Sequence, residues 1–408
     1  MKLILITFQQ LLVIFCLLTA MFSYGQNLDD YINMLKQNSI NLKARLYDEK
    51  INIEKINEAD TYPDTQISFG IYALQPETRV GNQTYKIGIS QVLPWFGTQN
   101  TEKKYLQNKA QLSLFDTQLQ TKQLILQLKT LYFQLYALQT EAEILKENKQ
   151  VLKTYESMAL AALSNNKSSM TDVLNIRIKK NELHVRIFQS LNKIDAIKEQ
   201  FNRMLNRDLQ LPINIPEKLD VTDILPNKST VTRHPLLQKN IHNMNVISDQ
   251  MKWLKKQSYP KILLGLDYIS VSPQAAQIEH NGKDILLPRL GLSIPLFNHR
   301  YKSQIEQLKI KKQQIHFQNQ QMENDLKDAL IIAKTELENQ IVQIMAADKN
   351  IAQSQRSIDI TLKSYETGML DFDKIIQLQL QKIKYQLIKI HAVQKAFEQQ
   401  ARIDFLTD

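Results

Sequence analysis

Between Thr98 and Leu211 the chain has neither glycine nor proline, and from Leu296 to Asp408 it has no proline and one glycine, Gly368. Both residue types are costly inside helices, so their absence predicts two long helical tracts. Cysteine is nearly missing as well. Cys16 stands alone, in an N-terminal segment that reads as removable, so the mature chain would hold no disulfide and no cysteine-ligated metal. After that segment no run is apolar enough to span a membrane as a helix. A crossing of lipid would then need a closed β-barrel, in which every backbone polar group finds a partner. The histidines are scattered, without an i, i+4 pair or an acidic neighbour at ligand spacing, and no nucleophile elbow, phosphate loop or zinc pattern occurs. No catalytic, cofactor or metal site is expected.

The N-terminal segment has Lys2, a mostly apolar run from Leu3 to Ala20, and small residues Ser23 and Gly25 before Gln26. This pattern predicts a secretory signal over residues 1–25, cleaved after Gly25. A membrane anchor competes, but Thr7, Gln9, Gln10 and Thr19 interrupt the run, which falls short of the ~20 apolar residues of a spanning helix. Formal net charge is +10. Lysine and arginine are interleaved with Glu, Gln and Asn along the helical tracts, which indicates solvated helix faces and no nucleic-acid partner.

The helical tracts carry a coiled-coil period. Leu124, Leu128, Leu131, Leu135, Leu138, Ala142 and Leu145 step alternately by four and three, and Ile376, Leu380, Ile383, Leu387 and Ile390 repeat the pattern. Such spacing keeps one seam facing a partner helix. From Thr101 to Leu163 the helix would run roughly 95 Å, far more than a globular core needs.

Most glycines fall in two short windows, and these windows alternate. Ile67, Phe69 and Ile71 share one face of a first strand, with Tyr85, Ile87 and Ile89 on a second. In the later window Ile262, Leu264, Leu266 and Tyr268 share a face, and Leu290, Leu292 and Ile294 alternate with Gly291 and Ser293. Strands of about 9–11 residues can cross a bilayer when tilted. A soluble hairpin packed on a helix fits the strands alone equally well. If they do cross, the candidate lipid-facing residues are Ile67, Phe69, Ile71, Ile87, Ile89, Leu264, Leu266 and Leu292.

The two halves repeat. Tyr62-Pro63 matches Tyr259-Pro260, Pro94 and Phe96 match Pro295 and Phe297, and Asp172 matches Asp373, at nearly constant offset. These anchors bracket the same element order, so a duplicated unit is expected. The predicted organisation is a first repeat over residues 26–210, with strands at about 65–74 and 83–93 and a helical hairpin at about 98–207. A proline-bearing linker spans 211–235. The second repeat, 236–408, has strands at about 261–271 and 284–294 and a hairpin at about 298–405. Four strands cannot close a barrel alone, so several chains would have to share one.

Several segments resemble a known family. Gly88 to Gly97 (GISQVLPWFG) resembles the strand-to-helix segment of TolC-type outer-membrane efflux proteins, and Gly291 to Phe297 (GLSIPLF) its second-repeat counterpart. Met170 to Arg177 resembles the turn-and-return of their first helical hairpin, and Tyr365 to Gly368, running into Asp371-Phe372-Asp373, the second. The resemblance covers essentially the whole mature chain. It implies a mainly α fold with a small β part. Three protomers would share a 12-stranded transmembrane barrel that continues into a periplasmic coiled-coil tunnel. It also implies a location in the outer membrane of a Gram-negative bacterium, with a periplasmic adaptor and an inner-membrane pump as partners and no enzyme activity.

Under that resemblance Asp172, Asp371, Asp373 and Lys374 are candidates for the periplasmic constriction, where a ring of carboxylates would attract cations. Asn165, Asn166, Lys167 and Gly368 would form the hairpin turns. Capping of the helix leaving each tip explains the aspartates equally well. The family's second tip acid is missing, since Ile376 stands where it would be, and Lys374 adds positive charge. The strand end Gln91–Gly97 is similar to that of channels serving cation-exporting pumps, with drug efflux and type I protein secretion as competitors. Two other classes fit less well. A periplasmic adaptor would need one hairpin splitting a lipoyl-like β domain, and a structural coiled-coil protein would not need alternating strands.

Overall fold

The computed structural model describes residues 27–164, 169–224, 230–275, 279–297, 299–366 and 372–407. The expected signal segment, Asn165, Asn166, Lys167, Gly368 and Asp371 lie outside them. Helices α1 (Leu28–Asn38) and α2 (Ile40–Glu58) lead into β1 (Gln66–Ile71), β2 (Glu77–Thr78) and β3 (Gly81–Leu93). The helical hairpin α3 (Thr98–Ser164) and α4 (Met170–Met204) follows. After a 3-10 turn at Val221–Asp223 the order recurs: α5 (Pro235–Gln257), β4 (Lys261–Ser272), β5 (Ile285–Ser293), α6 (His299–Glu366) and α7 (Phe372–Thr407). Among the described residues no helix is long and apolar enough to cross a membrane.

Local chemistry sets the helix starts. Asn27 and Asp30 cap α1 reciprocally, each side chain accepting from the other's backbone N–H at 2.9 Å. Pro235 opens α5, where a missing N–H costs nothing, and the buried His234 accepts from Leu236 N through Nδ1 at 3.3 Å. Gly97, at φ +77°, turns the chain from β3 into α3, a left-handed position that suits glycine.

The chain forms two compact units. One contains the sheet, α5, most of α2, and the parts of α3 and α6 up to Leu119 and Asn324. Here α5 runs along α3: Trp253 stacks on Tyr105 at 5.4 Å, and Asp249 accepts from Asn108 at 2.6 Å and from Lys252 at 2.8 Å. The sheet order is β1-β3-β4-β5, all antiparallel, with β2 paired only to β3. The first strand ends at Ile71, short of the expected 74. The chain turns there through Pro76 into the short β2, and β3 starts early at Gly81.

The other unit holds α1, α4, α7 and the remainders of α3 and α6. Its seams follow the heptads: Leu128, Leu131, Leu135, Leu145, Ile376, Ile383, Leu387 and Ile390 are buried. The segment expected to be a linker is partly folded here. Ile213 enters the core, Asn214 N donates to Tyr31 Oη at 2.9 Å, and Asn202 donates to the carbonyls of Leu209 and Leu211 at 2.8 and 2.9 Å.

Candidate functional site: a two-faced sheet and the helical hairpin ends

The registers settle which side chains share a face. Ile67 pairs with Ile89, which pairs with Leu266, and Leu266 pairs with Pro288. One residue pair along, Phe69, Ile87, Tyr268 and Leu286 form the next row, and Gln91, Leu264 and Leu290 continue it at the other end. This face is apolar across all four strands and bare, with Ile67 and Leu290 each 77% exposed. All eight sequence candidates for the lipid-facing surface lie on it. Apolar surface on this scale is unusual on a soluble monomer.

The opposite face mixes small and aliphatic residues with every charge of these strands. Its rows are Ser68–Gly88–Asp267–Leu287, Gly70–Lys86–Ile269–Ile285 and Gln66–Ser90–Gly265–Arg289, with Lys261 and Ser293 beyond. Asp267 is held by Lys86 Nζ at 2.7 Å and by Arg289, whose Nε and Nη2 lie 2.7 and 2.8 Å from its two oxygens. Alternation puts each member of this trio opposite the apolar face, but only the register of three strands brings them together.

Aromatic side chains mark both ends of the apolar face. Phe69, Tyr85 and Tyr268 are neighbours at 6.2 and 6.4 Å near one end. Trp95 contacts Phe96 at 5.9 Å and Tyr259 at 6.4 Å past the other. Tyr85 and Trp95 are ten residues apart. At ~3.3 Å per residue and a ~40° tilt they would be separated by about 25 Å of height, the thickness of a barrel's apolar band.

At the hairpin ends Asp172 is the third residue of a capping box. Its carboxylate accepts from Ser169 N at 3.0 Å, and its own N–H donates to Ser169 Oγ at 3.2 Å. Ser169 is therefore the N-cap, the position expected of Asp172. Asp373 accepts from Gln377 at 2.6 Å, and Lys374 is exposed. Arg177 bonds Glu156 of its own hairpin at 2.7 Å, and Lys180 grips the same carboxylate. These bonds, Lys180's first and Arg177's second, hold the Glu156 carboxyl below its ordinary range. Tyr155, Tyr365 and Phe372 cluster with ring contacts of 5.8 and 5.1 Å. Burial, and then the charge of Asp172, push the Tyr365 phenol up. Deeper in the seam the buried Gln379 donates to Asn148 at 2.5 Å, and Asn148 donates to Gln386 at 3.2 Å.

Among the described residues no group of His, Cys, Asp and Glu could hold a metal ion. No protein-family model matches the chain, and no characterised protein matches it by sequence. Solved structures do. CusC, studied for its folding and transmembrane channel formation, superposes with a TM-score of 0.76 at 12% identity over 95% of this chain and 96% of its own. The outer-membrane protein VceC of Vibrio cholerae gives 0.73 at 12% identity over 93% and 95%. The MtrE outer-membrane channel of Neisseria gonorrhoeae gives 0.73 at 13% over 93% and 88%. The chain thus has the fold of outer-membrane channel proteins, which is the fold that its resemblance to the TolC type implies.

Proposed function

We propose that the chain is an outer-membrane channel of a tripartite efflux or secretion system, with no catalytic chemistry of its own. Three copies share a 12-stranded barrel, and their long hairpins form a periplasmic tunnel that receives cargo from an inner-membrane pump through a periplasmic adaptor. The observation that carries this reading is the sorting of the sheet. Its bare face is apolar across four strands apart from Gln91, the charges of those four strands are all opposite, and β1 and β5 are left as edges. Lipid does not tolerate open edges, so closure needs further copies. The duplicated order of strands and long hairpins speaks against an adaptor with a single hairpin. Outer-membrane fractions should contain an oligomer that resists cold detergent and runs as a monomer after boiling. A stable monomer in native mass analysis would overturn the proposal.

A further inference from the structure

We infer that the inner face of the sheet is a positively charged section of conduit that favours anionic solutes, with Lys86 and Arg289 closing over Asp267. The inference rests on the barrel reading above, which makes this face a lumen wall. The strands β1, β3, β4 and β5 carry four charged residues, Lys86, Lys261, Asp267 and Arg289. All four lie on the inner face, so three cations against one acid leave +2 per chain and +6 in a trimer.

The geometry sharpens this count. The Asp267 side chain is 0% exposed, whereas those of Lys86 and Arg289 are 34% and 41% exposed. The acid lies beneath its partners, and what the cluster presents to water is cationic. Gly88 leaves room for the buried acid: a Cβ there would sit 2.5 Å from Asp267 Oδ1. Fixed charge of one sign on the walls of a narrow, low-dielectric channel concentrates the opposite ion. Anionic cargo would gather here, and a free metal cation would be disfavoured.

The cluster also staples three strands together, and a staple alone would leave the electrostatics of the lumen unchanged. A local probe separates the two roles. In the full chain with Cys16→Ser, a thiol is placed inward by Ser90→Cys or outward by Ile89→Cys. Outer-membrane preparations are treated with methanethiosulfonates bearing either a sulfonate or a trimethylammonium group. Each rate is normalised to that reagent's rate with a free thiol. At Ser90→Cys the anionic reagent should be favoured by about threefold or more. Lys86→Gln with Asp267→Asn and Arg289→Gln should reduce that preference. Lys261→Gln should reduce it too without touching the cluster, so the test survives if the triple variant fails to assemble. Equal normalised rates, a cationic preference, or a ratio unmoved by neutralisation would overturn the inference while leaving the barrel intact. If Ile89→Cys reacts as freely as Ser90→Cys, the barrel reading itself fails and the inference falls with it.

Discussion

The sheet and the helical hairpins sort the same amino acids in opposite directions. In the hairpins Leu128, Leu145, Ile176 and Ile383 are buried, and most charges, Glu141 apart, lie at or near the surface. In the sheet Ile67, Ile87, Ile89 and Leu290 face out and the charges face in. A chain with one solvent would not do both. Burial of apolar surface drives the first arrangement in water, and the second lowers free energy only where the surroundings are themselves apolar. Under the proposed barrel reading, the two regions meet different media.

The sharpest way to break that comparison is to move a charge across the sheet by one residue. Ile89→Lys puts an ammonium on the apolar face midway between the aromatic ends, where a bilayer charges ~2–4 kcal/mol per chain. Ser90→Lys puts it on the face that already carries Lys86 and Arg289. We expect Ile89→Lys to abolish the boiling-sensitive oligomer and Ser90→Lys to preserve it. Equal tolerance would mean that the sheet sits in water and that the two regions share one solvent.

A matched truncation sharpens the same point from the helical side. Leu152 is fully buried in the hairpin seam, so Leu152→Ala should cost ~2–5 kcal/mol, read as a fall in melting temperature in detergent. Leu290→Ala, on the bare face, loses no packing within the chain and should barely move it. Polar seam positions come next. Gln379→Leu leaves the buried Asn148 Oδ1 without its donor and should cost about 1–3 kcal/mol, and Asn148→Leu added to it should restore part of that loss. Additive losses would show that the two amides do not act as a pair.

Much of this was legible in the sequence, and the exceptions have physical causes. The helices and strands follow from where Gly and Pro fall and from the 3.5 and 2.0 periods, because each is a local constraint. The apolar face followed from alternation alone. The Lys86–Asp267–Arg289 trio needs three strands in a specific register, and that register is a tertiary fact. The folding of the linker around Asn202 and Tyr31 is tertiary too, since nothing local distinguishes that asparagine from the exposed Asn206. The Ser169 cap is local, because Ser-x-x-Asp is itself a capping signature, with the serine, not the aspartate, at the N-cap.

Acid should separate the regions further. The Glu156 carboxyl titrates below its ordinary value because Lys180 and Arg177 bond it. Its contribution is complete above the unfolded glutamate value and is lost as pH falls through the lower folded one. Thermal stability should therefore drop by ~1 kcal/mol or less on that account between pH 6 and pH 3, because Arg177 is half exposed and the pair is screened. Glu156→Gln should flatten this part of the profile. A slope unchanged in that variant would assign the acid sensitivity to other carboxylates, such as Asp249. Burial raises Asp249, but bonds from Lys252 and Asn108 more than offset this and leave it lowered.

A comparably small effect concerns the hairpin end, where Asp172 has two candidate roles. As part of a capping box its carboxylate satisfies the Ser169 N–H, and Ser169 in turn satisfies its own. Losing either side chain should cost ~0.5–2 kcal/mol. Because the two bonds are reciprocal, Ser169→Ala and Asp172→Ala together should cost less than the sum of the single changes. A conduit role makes a different demand. A carboxylate facing a three-fold constriction would set ion selectivity, and Ser169→Ala, which keeps that charge, would not alter it. We expect both single variants to melt a few degrees early and to keep the parent's reversal potential in a salt gradient across a planar bilayer, because the structure engages this acid with its own helix. A reversal potential displaced toward anions by Asp172→Ala but not by Ser169→Ala would return the acid to the conduit. The chain would then carry an acidic ring at its hairpin ends and a basic one in its sheet.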